Sequence, residues 1–144
     1  CHRAISGDST LLMEVNDGTC RRIASGHLSR SSRGITSLCT YLMPRLGTSS
    51  WYAQGCSPCG GPVTLANGQR ILFVNGLSNS EWKIGAFTLG RTYEPKDDLG
   101  VVIERSSAGG AFGSHIKKLP DGTIRVWYDV KDSPPWEAIL NVVI

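Results

Sequence analysis

Apolar and polar residues along this chain repeat with a period of two, not 3.6. In Thr123–Val130, Ile124, Val126, Tyr128 and Val130 fall on one face, and Arg125, Trp127 and Asp129 on the other. Successive side chains of an extended strand point to opposite sides, so this segment predicts a strand with one buried and one wet face. Ala111–Leu119 precedes it across Pro120-Asp121-Gly122, and together they predict a hairpin. Pro62–Ala66, Asn67-Gly68 and Arg70–Val74 predict another, with a turn that favours positive φ at both central residues. In Trp82–Leu89 both alternating sets are largely apolar, which predicts a strand covered on both faces. Thr10–Val15, Cys20–Ala24, Ile35–Met43, Gly100–Glu104 and Glu137–Ile144 are the further β-prone segments. Asp17-Gly18, Asn75-Gly76 and Gly109-Gly110 are expected turns, and Ser25–Gly34 and Gly47–Gly61 the long loops.

No window of the chain carries a helical period, and Pro44, Gly47 and Gly55 limit any helical turn between Met43 and Gln54. Eight or nine short strands at regular spacing predict an all-β fold. The expected architecture is an antiparallel β-sandwich, jelly-roll-like. Its 144 residues, with no internal repeat and no linker, predict a single domain over 1–144. Seventeen glycines fit a turn-rich β chain, and the longest apolar runs, Ile71–Val74 and Ile139–Ile144, are too short to span a bilayer.

Charge changes this picture locally. The net charge of +3 does not call for nucleic acid as a partner. Residues 1–50 hold six arginines against three acids, whereas residues 51–144 balance nine against nine. Arg21, Arg22, His27, Arg30 and Arg33 form an acid-free stretch among Ser and Gly. Guanidinium groups bind carboxylate, sulfate and phosphate in a planar fork, so Arg30 and Arg33 are candidate anion-binding residues. Trp51 and Tyr52, in an expected loop, and Trp127, opposite the apolar face of its strand, are candidate exposed stacking residues.

Five cysteines, Cys1, Cys20, Cys39, Cys56 and Cys59, all lie in the first 59 residues. An odd count leaves at least one thiol outside any internal bridge, and a domain this large does not need bridges to fold. Cys56-Ser57-Pro58-Cys59-Gly60-Gly61 has the shape of half a zinc knuckle. A closed zinc site needs four ligands, and no second pair has that spacing. Cys59-Gly60-Gly61-Pro62 resembles, over four residues, the nucleophile turn of chymotrypsin-like proteases. The resemblance implies an oxyanion hole of backbone N–H groups, an upstream histidine and an acid. Only His2 and His27 lie upstream, with Asp8 and Asp17, and too little chain precedes Cys59 for a first barrel. Ser114, His115 and Asp129 are the other triad-like set, on the expected last hairpin.

These observations favour a non-enzymatic recognition domain over an enzyme. The expectation is the receptor- or glycan-binding head of a trimeric virus or phage fibre, at the virion surface or outside the cell, by analogy at fold level. Its expected partners are a cell-surface glycan or protein receptor and further copies of the chain, without nucleic acid, membrane insertion or cofactor. Candidate binding residues are Arg30, Arg33, Trp51, Tyr52 and Trp127. The alternatives are a thiol-dependent hydrolase using Cys59 or Cys1, or a zinc-stabilised interaction module.

Overall fold

A computed structural model describes residues 3–5, 10–16, 21–29, 34–35, 40–41, 50–91, 93–104, 110–130 and 136–140. All regular structure among them is β, and it forms two sheets. The larger contains β1 (Arg3–Ile5), β2 (Thr10–Asn16), β3 (Arg21–Ser29), β4 (Gly34–Ile35), β5 (Thr40–Tyr41), β6 (Gly55–Pro58), β7 (Val63–Thr64), β8 (Arg70–Ser78), β9 (Glu81–Leu89) and β10 (Pro95–Ile103). The smaller contains β11 (Ala111–Lys118), β12 (Ile124–Val130) and β13 (Trp136–Leu140). The expected eight or nine strands are too few, since the larger sheet alone has ten. The strands without a counterpart in the hydropathy pattern are β1 and β6, and the single run expected over Ile35–Met43 holds two short pairings, β4 and β5.

The main path of the large sheet is β1-β2-β3-β6-β8-β9-β10. Its pairings are antiparallel except for β3 and β6, which meet in parallel at Arg21 and Gly55. The small sheet runs β11-β12-β13, antiparallel throughout. The segment Ser25–Ser29, expected in a loop, belongs to β3 because β2 supplies a seven-residue ladder from Asn16–Arg21 to Thr10–His27. The main chain can pair whatever the side chains, so a polar segment is drawn into a sheet when a partner lies alongside. Likewise Gly55–Pro58, expected in a loop, forms β6 beside the end of β8.

Two hairpins close in the same way. Leu65 N–H donates to the carbonyl of Gln69 (2.8 Å) and Gly68 N–H to that of Leu65 (3.0 Å). Leu119 and Thr123 (2.8 Å) and Gly122 and Leu119 (3.0 Å) repeat the arrangement. Each is a three-residue loop with only its glycine at positive φ, 83° at Gly68 and 86° at Gly122. This corrects the two-residue turn expected at Asn67-Gly68. The reason is the side chain before each glycine: Asn67 Oδ1 accepts from Gln69 N–H and Asp121 Oδ1 from Thr123 N–H, both at 2.9 Å. The tight two-residue turn falls at Asn79-Ser80, with φ of 50° and 62°, between the paired Ser78 and Glu81. Asn75-Gly76, expected to turn, runs straight through β8.

Strand alternation then assigns the core. On one face of β8 and β9, Ile71, Phe73, Ile84 and Ala86 meet Ala111, Ile124, Val126, Tyr128 and Val130 of the small sheet. On the other face, Leu72, Val74, Phe87 and Leu89 are covered by Ile23, Tyr52, Cys56 and Tyr93, with Trp51 packed against them. Both faces of β8 and β9 are therefore buried, as the doubly apolar pattern of Trp82–Leu89 predicts. Each fully buried Phe, Ile or Leu contributes about 1.5–3 kcal/mol from area alone, so this pair of strands carries much of the stability.

A polar contact inside that core joins the two sheets. Asn75, fully buried, donates from Nδ2 to the carbonyl of Gly113 (2.9 Å) and accepts from Gly113 N–H at Oδ1 (2.6 Å). Gly113 has no side chain for a reason: a Cβ there would collide with Cys59 Sγ. Gly110, at φ 73°, lies equally close to the backbone of Trp82, where a short parallel bridge joins the sheets.

Candidate functional site

The candidate residues from the sequence fall in different places. Arg30 and Arg33 lie outside the described residues. Trp51 and Tyr52 sit in a turn, 50–54, that folds onto the large sheet rather than standing away from it. Ala53 N–H donates to the Ser50 carbonyl (3.2 Å) and Gln54 N–H to that of Leu77 (2.9 Å). The Trp51 indole lies flat over Gly76 and Gly85, where any Cβ would enter its ring. It stacks on Phe87 with centroids 5.5 Å apart and meets Tyr52 edge-on at 4.8 Å. Its Nε1 donates to the Asp98 carboxylate at 3.1 and 3.2 Å.

The expected exposure of these aromatics is corrected here. Tyr52 is 7% exposed, and burial first, then the charges of Asp98 and Cys56, push its hydroxyl pKa up. Trp51 is half-buried. The loop aromatics were drawn inward by two glycines that leave a trough the width of an indole ring, and no hydropathy pattern marks such a trough.

Trp127 has a different setting. It is half-buried on the outer face of the small sheet, where cross-strand register places it between His115 and Glu137. Its Nε1 donates to Glu137 Oε1 (2.7 Å), and the His115 ring lies 5.2 Å away. The Arg125 guanidinium stands 5.7 Å from its centroid and 4.0 Å from Glu137 Oε2. The next row holds Lys117, Arg125 and Ile139, the last 52% exposed. An indole with a guanidinium over its ring and a carboxylate and an imidazole beside it forms an aromatic, polar patch that can contact a hydroxyl-bearing ring. Trp136 lies in β13, and its side chain is outside the described residues.

The thiol chemistry is separated by the fold. Cys56 packs with Leu72 and Val74 on one face of the large sheet, and Cys59 with Phe73 and Ile84 on the other. Residues three apart on extended backbone point to opposite sides, so this Cys-x-x-Cys does not converge on one ion. Burial pushes the Cys59 thiol up to about 12, opposite to what a nucleophile needs. Cys1, Cys20, Cys39 and His2 lie outside the described residues. The Ser114-His115-Asp129 set is not assembled by register either: His115 pairs with Trp127, and Asp129 with Phe112. Among the described residues no three His, Cys, Asp or Glu side chains come together as a metal site.

One cluster had no counterpart in the sequence reading. At the end of the large sheet, a cleft of about 360 Å³ opens between the β7–β8 loop and the β9–β10 turn. Asn67, Gly68, Gln69, Arg70, Leu89, Gly90, Arg91 and Lys96 line it. Its three cations are spread over 27 positions and interleaved with Glu81 and Glu94, so no local charge run marks them. The β8–β9 and β9–β10 registers, which set Arg70 and Pro95 on either side of Leu89, bring them together.

Comparison of the chain with protein-family models, curated proteins and solved structures finds no match.

Proposed function

We infer that this chain is a non-enzymatic recognition domain whose primary surface is the outer face of the small sheet. The observation that carries this is the Trp127 indole, flanked by His115, Arg125 and Glu137 on rigid strands rather than a loop. Such a surface holds its shape before a ligand arrives, which lowers the entropy cost of binding. The ligand class that fits is a saccharide or a glycan-bearing receptor.

The core shared by the two sheets supports a β-sandwich scaffold. The mostly consecutive strand order supports hairpin-by-hairpin winding more than a jelly roll. The biological setting we propose is the head of a trimeric virus or phage fibre, exposed outside the cell or on the virion. Ile139 on this same face, beside β12, is a natural edge of an interface between copies. The thiol-hydrolase reading gains nothing from Cys59, which is 1% exposed, and the zinc-module reading gains nothing from a divergent thiol pair.

Glycan screening of the chain, repeated with Trp127→Ala, tests the ligand, and light scattering on a sizing column tests the assembly. The expected results are selective retention of a saccharide that the variant loses, and a mass three times 15.5 kDa. Saccharide binding unchanged in Trp127→Ala, or a monomer at all concentrations, overturns the corresponding half of the proposal.

A further inference from the structure

We propose that the cleft between the β7–β8 loop and the β9–β10 turn is a second binding site, selective for a sulfate or phosphate ester on a sugar-sized ligand. Its chemistry is distinct from that of the Trp127 face, and it stands whether or not that face binds glycan.

Three cations border the opening: Arg70, Arg91 and Lys96. Arg70 is held in place before any ligand arrives. Its guanidinium stacks on the Tyr93 ring at 4.4 Å, and its Nη2 donates to the Arg91 carbonyl at 3.5 Å. Tyr93 is itself fixed, 9% exposed and at φ 65°, a left-handed conformation that a bulky residue adopts only when its surroundings impose it. The turn that carries it is closed by Gly90 N–H to the Glu94 carbonyl (2.8 Å) and Tyr93 N–H to that of Gly90 (3.3 Å). A pre-positioned guanidinium binds a tetrahedral oxyanion through parallel N–H bonds, and it loses less entropy than a free side chain. Arg91 and Lys96 are exposed at the rim and add charge with freedom to adjust.

Nearby acids offset the charge of the cleft only in part. The Asp97 carboxylate is turned onto Thr88, accepting from its Oγ1 at 2.9 Å, and Asp98 is turned onto Trp51. Glu94 lies over Gly90, so one carboxylate stands near three cations. A bare oxyanion occupies only part of a cleft of about 360 Å³. The remainder is bordered by Asn67 and Gln69, polar side chains suited to a ring with hydroxyls.

The test is an amide-resolved NMR titration of the intact chain with N-acetylglucosamine 6-sulfate, unsulfated N-acetylglucosamine and inorganic phosphate. The sulfated sugar and phosphate are expected to shift Gly68, Gln69, Gly90 and Arg91 saturably, with the sulfated sugar tighter. The unsulfated sugar is expected to leave those residues unmoved. Arg91→Gln with Lys96→Gln is expected to weaken the sulfated sugar roughly tenfold or more. Both side chains are exposed, so the spectrum elsewhere should be unchanged; either single variant serves if the double variant does not fold. Arg70→Lys, which keeps the charge but loses the fork, is expected to weaken binding severalfold. Equal shifts from the unsulfated sugar, no saturable shift in the cleft, or undiminished affinity in the Arg91 and Lys96 variants overturns the proposal. Binding of phosphate with no gain from the attached sugar overturns the sugar-sized ligand and leaves an oxyanion site alone.

Discussion

The β8–β9 hairpin and the β11–β12 hairpin have similar lengths and opposite surroundings. The first is buried on both faces and is tied to its neighbours by the Asn75–Gly113 contact. The second gives one face, Ile124, Val126, Tyr128 and Val130, to the same core and leaves Arg125, Trp127 and Asp129 outside it. Burial on both sides leaves a side chain no freedom to serve anything but packing. Burial on one side anchors a strand while its other face stays available. Full burial and an open outer face are thereby assigned to different hairpins, and the basic cleft lies where the doubly covered hairpin runs out of cover.

That contrast is open to direct attack. The largest expected effect is at Phe73, 1% exposed between the sheets: Phe73→Ala should cost about 3–5 kcal/mol in urea unfolding. A loss below about 1 kcal/mol would mean that the sheets do not share a packed core. Asn75→Ala should cost about 2–4 kcal/mol, because it strands the N–H and carbonyl of Gly113 without partners in a dry interior. Asn75→Asp keeps the shape but removes the donor, and should also destabilise by a measurable amount. Gly85→Ala should cost about 1–3 kcal/mol through collision with the Trp51 ring, and the Trp51 emission should shift to the red.

The thiol supplies a pH test of the same interior. Burial raises the Cys59 pKa from its ordinary 9.0 to about 12 in the folded chain. Below the ordinary value both folded and unfolded chains hold the proton, and stability does not respond to this group. Between the two values the unfolded chain has released the proton and the folded chain has not, so stability falls as pH rises through that window. The urea midpoint should decline from pH 9 to pH 11, and Cys59→Ala should flatten that decline. The smallest effect on stability is expected at Trp127. Trp127→Ala should change unfolding by less than about 1 kcal/mol while removing saccharide retention. A change as large as that at Phe73 would dissolve the distinction between the hairpins.

The sequence exposes the strands that alternate cleanly and hides those defined by their partners. The Ala111–Val130 hairpin and the double cover of Trp82–Leu89 are legible because side-chain parity alone decides them. Ser25–Ser29 is not, because its place in β3 comes from a ladder of main-chain bonds with β2. Asn75-Gly76 misleads because the same two residues that favour a turn also suit a buried amide and a ring contact. Trp127 is placed on an outward face by parity. Trp51 and Tyr52 are taken inward by Gly76 and Gly85, two positions distant in sequence. The cleft of Arg70, Arg91 and Lys96 depends on register between strands, which local composition does not encode.

The divergence of Cys56 and Cys59 has an experimental use. They sit 2% and 1% exposed, three positions apart, in two separate apolar clusters. With Cys1, Cys20 and Cys39 replaced by serine, each remaining sulfur becomes a clock for its own cluster. Trapping by a thiol reagent occurs only when the surrounding side chains part, and mass spectrometry distinguishes which of the two has been captured. Equal trapping rates would describe a molecule that opens all at once. Unequal rates would show the two sides of one sheet breathing independently, timed by a pair of atoms already built into the strand between them.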